Sequence, residues 1–165
     1  MGTTPEFGLD TPFSFDPNAV ERFRVVFVCF GNACRSQMAE GFLRHKQSDW
    51  LEALSAGVHP LGFIPPETIE AMQEKGISLD GQVSKGLDAI DWDQVNLLVN
   101  MSSLPTGSVA PGYSGRREAW DIPDPFQFPL EEYRAVRDML GERVDDLMRR
   151  LKAPSGGDPP EPVSA

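Results

Sequence analysis

Two reactive side chains, Cys29 and Arg35, stand six residues apart in one short stretch of the chain. A cysteine thiolate is a strong nucleophile, and the planar guanidinium of an arginine can bind two oxygens of an anion at once. The residues that complete the stretch are Phe30, Gly31, Asn32, Ala33, Cys34 and Ser36. Gly31 and Asn32 tolerate left-handed backbone, so we expect them to let the loop close on itself. The spacing predicts a nucleophile and an anion clamp on the same loop.

The residues on either side of this loop predict a strand before it and a helix after it. The β-branched and aromatic run at 23–29 is typical of a buried strand, and the apolar positions of 36–47 repeat as on one face of a helix. Backbone N–H groups between a strand and a helix N-terminus form a concave site for a tetrahedral oxyanion. We therefore expect the backbone from Phe30 to Ser36 to bind an anion and to favour the thiolate of Cys29, with the Ser36 hydroxyl donating to the sulfur.

The rest of the chain alternates between strand and helix patterns. We predict further strands at 51–55, 95–99 and 118–120, helices at 66–75 and 130–151, and a short helix near 85–90. This alternation predicts an α/β fold, a three-layer sandwich in which a four-stranded parallel sheet carries helices on both faces. Ligands bind beyond the carboxyl ends of the strands in such sheets, which is where Cys29 would lie.

A carboxylic acid on a separate loop is the expected proton donor for a leaving group. Asp124 lies between Pro123 and Pro125, after the fourth predicted strand, and the two prolines stiffen the loop around it. Asp121 is the alternative proton donor, although we expect it to be a structural carboxylate. Phe126 and Phe128 are placed either to flank an aryl leaving group or to pack as core and cap residues.

Composition indicates one globular domain with flanking segments. Of the 165 residues, 1–22 form an extension of flexible composition, 23–152 a catalytic domain and 153–165 a disordered tail. Half of the net charge of −10 lies in the two flanking segments, and an acidic chain argues against a nucleic-acid partner. The sequence contains no apolar run of the ~20 residues that span a bilayer and no secretory signal, so we expect a cytoplasmic protein without a membrane partner.

The loop sequence also carries a resemblance to a known family. Cys-x5-Arg-Ser after an apolar strand resembles the phosphate loop of the low-molecular-weight protein tyrosine phosphatases. The continuation Cys-Arg-Ser-Gln-Met-Ala-Glu-Gly is similar to arsenate reductases of the same fold, because those phosphatases usually have proline where this chain has Gln37. The resemblance covers residues 23 to 151. It implies that Cys29 is the nucleophile, that Arg35 binds the anion, and that Asp124 occupies the position of the general acid.

Three functions remain open at this stage. The protein either hydrolyses phosphotyrosine or small aryl phosphates, or reduces arsenate with an external low-molecular-weight thiol, or binds oxyanions without turnover. A three-cysteine arsenate reductase relay is excluded for this chain alone, because Ser102 stands where its next thiol would be expected. The partners are accordingly a phosphorylated protein or aryl phosphate, or arsenate plus a thiol.

The remaining cysteine and the histidines predict no cofactor. Cys34 is expected either to pack in the core or to protect Cys29 through a reversible disulfide. Two cysteines with the scattered His45 and His59 do not provide four metal ligands at a known spacing, so neither a metal nor another cofactor is expected.

Overall fold

A computed structural model describes residues 22–151 of the chain. Its centre is a parallel sheet of four strands, β1 (Phe23–Cys29), β2 (Leu51–Gly57), β3 (Leu97–Asn100) and β4 (Arg116–Ala119), in the order β2-β1-β3-β4. β1 is central, and its residues 25–28 are fully buried, which explains their continuous apolar character. The predicted four-stranded parallel α/β fold is confirmed.

Helices cover the two faces of the sheet in different ways. The three α-helices, α1 (Arg35–His45), α2 (Pro66–Gln73) and α3 (Leu130–Arg150), pack with Phe23, Val25 and Phe27 on one face. On the other face, Val26 and Val28 pack against segments that carry short 3₁₀ helices, at Leu87–Ala89, Trp92–Gln94 and Thr106–Ser108. Both faces of the sheet are therefore closed to water, one of them by much shorter helices.

Element boundaries differ from the predicted ones by one or two residues. β2 continues to Gly57 because it pairs with β1 along its whole length. β4 begins at Arg116, where polar residues already pair with β3, because a strand at the edge of a sheet does not need apolar residues along its whole length. α2 ends earlier than predicted, and Gly76 follows it with a φ of +74°, the left-handed conformation that stops a helix. α3 presents the predicted buried stripe, Tyr133, Val136, Leu140, Val144 and Leu147.

The carboxyl ends of the strands come together at one edge of the sheet. Cys29 pairs with Gly57 in β2, and Val28 pairs with Asn100 in β3. The loop between β1 and α1 thus lies beside the segments that follow β2, β3 and β4. No helix within residues 22–151 is long and apolar enough to cross a membrane. Apart from Arg22, the predicted extension over 1–22 lies outside the described residues, as does the tail over 153–165.

Candidate active site

The backbone of the 29–36 loop turns its carbonyl oxygens away from the cleft that it surrounds. Donors from the surrounding scaffold bind these oxygens: Val58 N–H to Cys29 at 3.2 Å, His59 N–H to Phe30 at 2.8 Å, Leu61 N–H to Gly31 at 3.0 Å, and the Thr68 hydroxyl to Ala33 at 3.1 Å. Because a trans peptide points its C=O and N–H in opposite directions, the N–H groups between them face the cleft. This arrangement is compatible with the predicted cradle of backbone donors, whose binding of an anion stays a prediction.

Asn32 supplies the left-handed residue of the cradle. Its φ is 47°, and its side chain is fully buried behind the loop. The matching expectation for Gly31 is wrong, since Gly31 is not among the residues with positive φ. A Cβ at Gly31 would instead lie 3.1 Å from Leu61 Cγ, so the glycine serves the close approach of that side chain. The closed loop requires left-handed backbone at one residue and a small side chain at its neighbour.

The sulfur of Cys29 lies at the base of the cleft and receives a directed hydrogen bond. Lys85 N–H donates to Asn32 Oδ1 at 2.8 Å, which leaves Asn32 Nδ2 to donate to Ser36 Oγ at 2.7 Å. The Ser36 hydroxyl is then free to donate its proton to Cys29 Sγ, 2.9 Å away. Such a contact places a hydroxyl donor directly against the sulfur.

Arg35 reaches the cleft from the start of α1 and is held by backbone carbonyls. Its side chain is 5% exposed, and Nη1 donates to Met101 O at 2.6 Å and to Ile122 O at 3.2 Å. Its buried Nε has no hydrogen-bond partner among the described residues. The anchored guanidinium therefore keeps donor capacity for an oxyanion.

Asp124 lies across the cleft from the loop. Its Oδ2 is 3.5 Å from Arg35 Nη2, its Oδ1 accepts the Phe126 N–H at 3.1 Å, and half of its side chain remains exposed. This geometry leaves the carboxyl able to meet a substrate at the mouth of the cleft. Asp121 is exposed and does not line the cleft, and its expected structural role stays a prediction.

The cleft brings most of the predicted site residues together. The cleft is lined by Cys29, Phe30, Gly31, Ala33, Cys34, Arg35, Leu61, Asp124 and Phe126, and its space of about 300 Å³ includes open solvent at the mouth. Asn32 and Ser36 are fully buried and support the loop from behind. Phe126 contributes to the wall, whereas Phe128 is largely exposed outside it. The cleft thus combines the predicted anion-binding loop with a partly aromatic rim.

Cys34 has a different environment from Cys29, although both cysteines are free. Burial raises the pKa of the Cys34 thiol to about 12, against the opposing effect of a hydrogen bond with Thr68. A thiol in this environment stays protonated at neutral pH and is a poor nucleophile. The packing role expected for Cys34 is compatible with this burial, and its exchange with Cys29 stays a prediction.

Sequence reasoning did not single out several residues that shape the loop. A Cβ at Gly57 would lie 2.7 Å from Asn32 N, so only glycine lets the end of β2 pass beneath the loop. Thr68 and Lys85 contact the loop from segments 35 and 53 residues away in sequence, and Gln82 contacts Gln37, the residue that follows the loop. The signal for Gly57 was available in its position directly after a predicted strand, whereas the other contacts depend on the tertiary fold.

A buried charge lies on the loop's far side. Glu40 in α1 is 3% exposed, accepts a hydrogen bond from Ser55 Oγ at 2.5 Å, and forms an ion pair with Arg44. Lys85 Nζ lies 3.5 Å from the same Ser55 hydroxyl, and burial lowers the pKa of the ammonium. Among the described residues, no group of His, Cys, Asp and Glu side chains is arranged to hold a metal ion. The polar side chains beneath the loop are thus satisfied by one another.

Comparisons with known proteins show which family this chain is similar to. A family model described as low molecular weight phosphotyrosine protein phosphatase matches residues 24–155. An arsenate reductase of Staphylococcus aureus (strain Newman) is 34% identical over 134 residues, which cover 76% of this chain and 96% of the relative.

Two solved structures extend the likeness to phosphatases. A low molecular weight protein tyrosine phosphatase from T. tengcongensis matches with a TM-score of 0.70 and 31% identity, over 78% of this chain and 99% of its own. The arginine phosphatase YwlE from Geobacillus stearothermophilus matches with a TM-score of 0.69 and 32% identity, over 76% of this chain and 90% of its own. The chain is thus similar to both phosphatases and arsenate reductases.

Proposed function

The chain belongs to the low molecular weight phosphotyrosine protein phosphatase family, and we propose that it is a cysteine-dependent phosphatase acting on phosphotyrosine or small aryl phosphate monoesters. The observation that carries the proposal is the position of Asp124. Its half-exposed carboxyl lies at the mouth of the cleft, beside Arg35 and opposite the loop that holds Cys29. Hydrolysis of a monoester needs such an acid for the leaving oxygen.

In the first step, Cys29 Sγ attacks phosphorus while the bond from phosphorus to the ester oxygen breaks. Asp124, carrying a proton, transfers it to the departing oxygen, and the product alcohol or phenol leaves. The three equatorial oxygens receive hydrogen bonds from the loop N–H groups and the Arg35 guanidinium, which stabilise their charge. The products of this step are a cysteinyl-phosphate and a deprotonated Asp124.

In the second step, Asp124 accepts a proton from a water molecule that attacks the cysteinyl-phosphate. The sulfur–phosphorus bond breaks, inorganic phosphate leaves, and Cys29 returns as a thiolate. Asn32 donates to the Ser36 oxygen and so directs the Ser36 hydroxyl hydrogen towards the sulfur. The hydrogen bond from Ser36 then stabilises the departing thiolate. Both steps use the same anion cradle, so no further group is required between them.

The rim supports an aromatic leaving group. Phe30 is 45% exposed and packs in a tilted arrangement against His59, with ring centroids 5.1 Å apart, while Phe126 lines the cleft near Asp124. Apolar surface at the mouth favours a flat aromatic group over a strongly hydrated one. The preference for aryl phosphates in this proposal is based on these rim residues.

Arsenate reduction with an external thiol is the second candidate. The Staphylococcus aureus relative described above carries that name, and the stretch Cys34-Arg-Ser-Gln-Met-Ala-Glu-Gly resembles arsenate reductases of the same fold. The sequence has only two cysteines, and Ser102 donates its hydroxyl to Asn100 Oδ1 at 2.6 Å after β3. An internal thiol relay through that position is therefore not available, and a reductase would depend on a thiol from solution.

The test measures both activities on the same preparation. Phosphate release from an aryl phosphate is followed beside arsenite formation in the presence of thioredoxin, glutathione or mycothiol systems. The proposal predicts phosphate release without arsenite formation. Thiol-dependent arsenite formation with feeble phosphate release would favour the second candidate, and binding of phosphate without either product would leave an oxyanion-binding module. Since either enzyme needs its cysteines reduced, we propose the cytoplasm as its location.

A further inference from the structure

Gln37 is fully buried in the first turn of α1, and none of the proposed chemical steps uses it. Its side-chain Nε2 lies within hydrogen-bond distance of three oxygens, which share its two hydrogens: Asn32 O at 3.1 Å, Asn32 Oδ1 at 3.0 Å and Val83 O at 3.0 Å. Two of the three acceptors belong to the left-handed residue of the loop. The amide thus contacts both the backbone and the side chain of Asn32.

A second glutamine fixes the orientation of this amide. Gln82 is 8% exposed, and its Nε2 donates to Gln37 Oε1 at 2.8 Å and to Gln37 O at 3.1 Å. Gln82 Oε1 in turn accepts a hydrogen bond from Arg44 at 3.3 Å. Since three oxygens surround Gln37 Nε2 and a donor faces its Oε1, only one orientation of the amide satisfies every partner.

The contacts of Gln37 lead to both functional parts of the loop. Through Asn32 O it holds one loop carbonyl turned outward, which keeps the following N–H facing the cleft. Through Asn32 Oδ1 it holds the amide that donates to Ser36, and Ser36 contacts the Cys29 sulfur. One buried side chain is therefore connected by hydrogen bonds both to the loop backbone and, through Asn32 and Ser36, to the nucleophile.

We infer that Gln37, oriented by Gln82, is a positioning residue that sets the affinity of the 29–36 loop for tetrahedral oxyanions. The inference rests on the proposed function only in assigning such an anion to the loop, and it holds for phosphate and arsenate alike. Gln37→Met keeps a side chain of similar length and removes every hydrogen bond of the amide. Outer hydrogen-bond partners of metal ligands typically change affinity or activity by about 10–100-fold, and we expect an anion-binding loop to depend on its supporting partner to a similar extent.

The test is the dissociation constant of inorganic phosphate, measured by calorimetry on the full chain. Gln37→Met is expected to weaken phosphate binding about tenfold, and Gln82→Met about threefold. The double variant is expected to match Gln37→Met alone, because Gln82 acts on the loop through Gln37. Gln73→Met, the same change at an exposed position near the end of α2, serves as the control and is expected to leave the constant unchanged.

Thermal unfolding of each variant separates positioning from general stability. All binding is measured well below the lowest unfolding midpoint, so a merely structural role would lower the midpoint and leave the dissociation constant unchanged. That result, or additive losses in the double variant, would overturn the inference. If Gln37→Met does not fold, an unchanged constant in Gln82→Met would overturn it equally.

Turnover of an aryl phosphate is recorded in parallel and answers a different question. A wild-type chain that binds phosphate but hydrolyses no ester would refute the proposed phosphatase and leave the positioning inference standing. If the wild-type chain is an active phosphatase but the variants bind phosphate unchanged, the positioning inference is refuted and the proposed phosphatase stands.

Discussion

Replacing Gly57 by alanine tests whether the loop geometry controls the reaction. A Cβ at this position would lie 2.7 Å from Asn32 N, 2.8 Å from Asn32 Cβ and 2.9 Å from Gly31 C. Non-bonded carbon atoms pack best at about 3.5–4.0 Å, so the loop backbone must retreat by about 1 Å. The obstructing atoms are mostly backbone, which cannot rotate out of the way. The substitution therefore acts directly on the anion cradle.

The expected cost has two separate parts. Overpacking of this size destabilises a protein by about 1–3 kcal/mol, which corresponds to a fall in Tm of about 3–12 °C. A displacement of about 1 Å between reacting groups can lower the rate about 100-fold. We therefore expect Gly57→Ala to lose about two orders of magnitude in kcat/KM while remaining folded at the assay temperature.

The assay compares kcat/KM for an aryl phosphate with thermal unfolding followed by circular dichroism. Gly107→Ala is the matched control, because a Cβ there would meet no atom within 4 Å. Gly107→Ala should leave both quantities unchanged. If Gly57→Ala retained kcat/KM within about threefold, the cradle would not depend on close packing against β2, and the reasoning from loop geometry to rate would be refuted.

Three further predictions concern individual groups of the site. Cys29→Ser should abolish turnover and leave the thermal unfolding midpoint nearly unchanged; substantial residual turnover would exclude covalent catalysis by this sulfur. Asp124→Asn should slow aryl phosphates with poor leaving groups about 10²–10⁴-fold and those with good leaving groups less, whereas equal losses would remove it as the acid. Burial raises the pKa of Cys34 from 9.0 to about 12, so the folded state keeps a proton that the unfolded state releases, and stability falls as pH rises through this interval. Between about pH 8 and about pH 10.5, denaturant unfolding should show a smaller loss in the free energy of unfolding for Cys34→Ala than for the parent chain. An equal loss in both would contradict the raised pKa of Cys34.

The parts of the site that could be predicted from sequence are local ones. Cys29 and Arg35 belong to one continuous strand, loop and helix, so their spacing alone brings them to the same cleft. Two prolines constrain the loop of Asp124, and the predicted topology returns that loop to the carboxyl edge of the sheet. Its role as general acid came from the resemblance to the phosphatase family, because an Asp-Pro pair alone is usually only a turn.

The contacts behind the loop could not be read from the sequence. Gln82 and Lys85 meet Gln37 and Asn32 only because the segment before Leu87–Ala89 passes under the loop, and nothing in its composition indicates that path. Gly31 illustrates the opposite error: glycine permits left-handed backbone, yet here its small size accommodates Leu61 instead. Residue type restricts what a position can do, and tertiary packing selects among the permitted roles.

The same distinction applies to the layers of the fold. Strong apolar periodicity in 130–151 predicted α3 closely, because a long helix needs little information beyond its own sequence. The covering of the second face was less evident, since Leu87–Ala89 and Trp92–Gln94 are single turns whose apolar residues make no periodic pattern. Short elements are formed by their neighbours as much as by their own residues.

Chemical trapping of the phosphorylated enzyme tests the central claim most directly. The chain is mixed with an aryl phosphate, quenched within one turnover, and digested, and the phosphoryl group is located by fragment mass spectrometry on the peptide that contains both Cys29 and Cys34. The proposed function predicts one phosphoryl group on Cys29, which forms as the first product is released and disappears as phosphate is released. Product release with an unmodified Cys29, or with the label on Cys34, would contradict it.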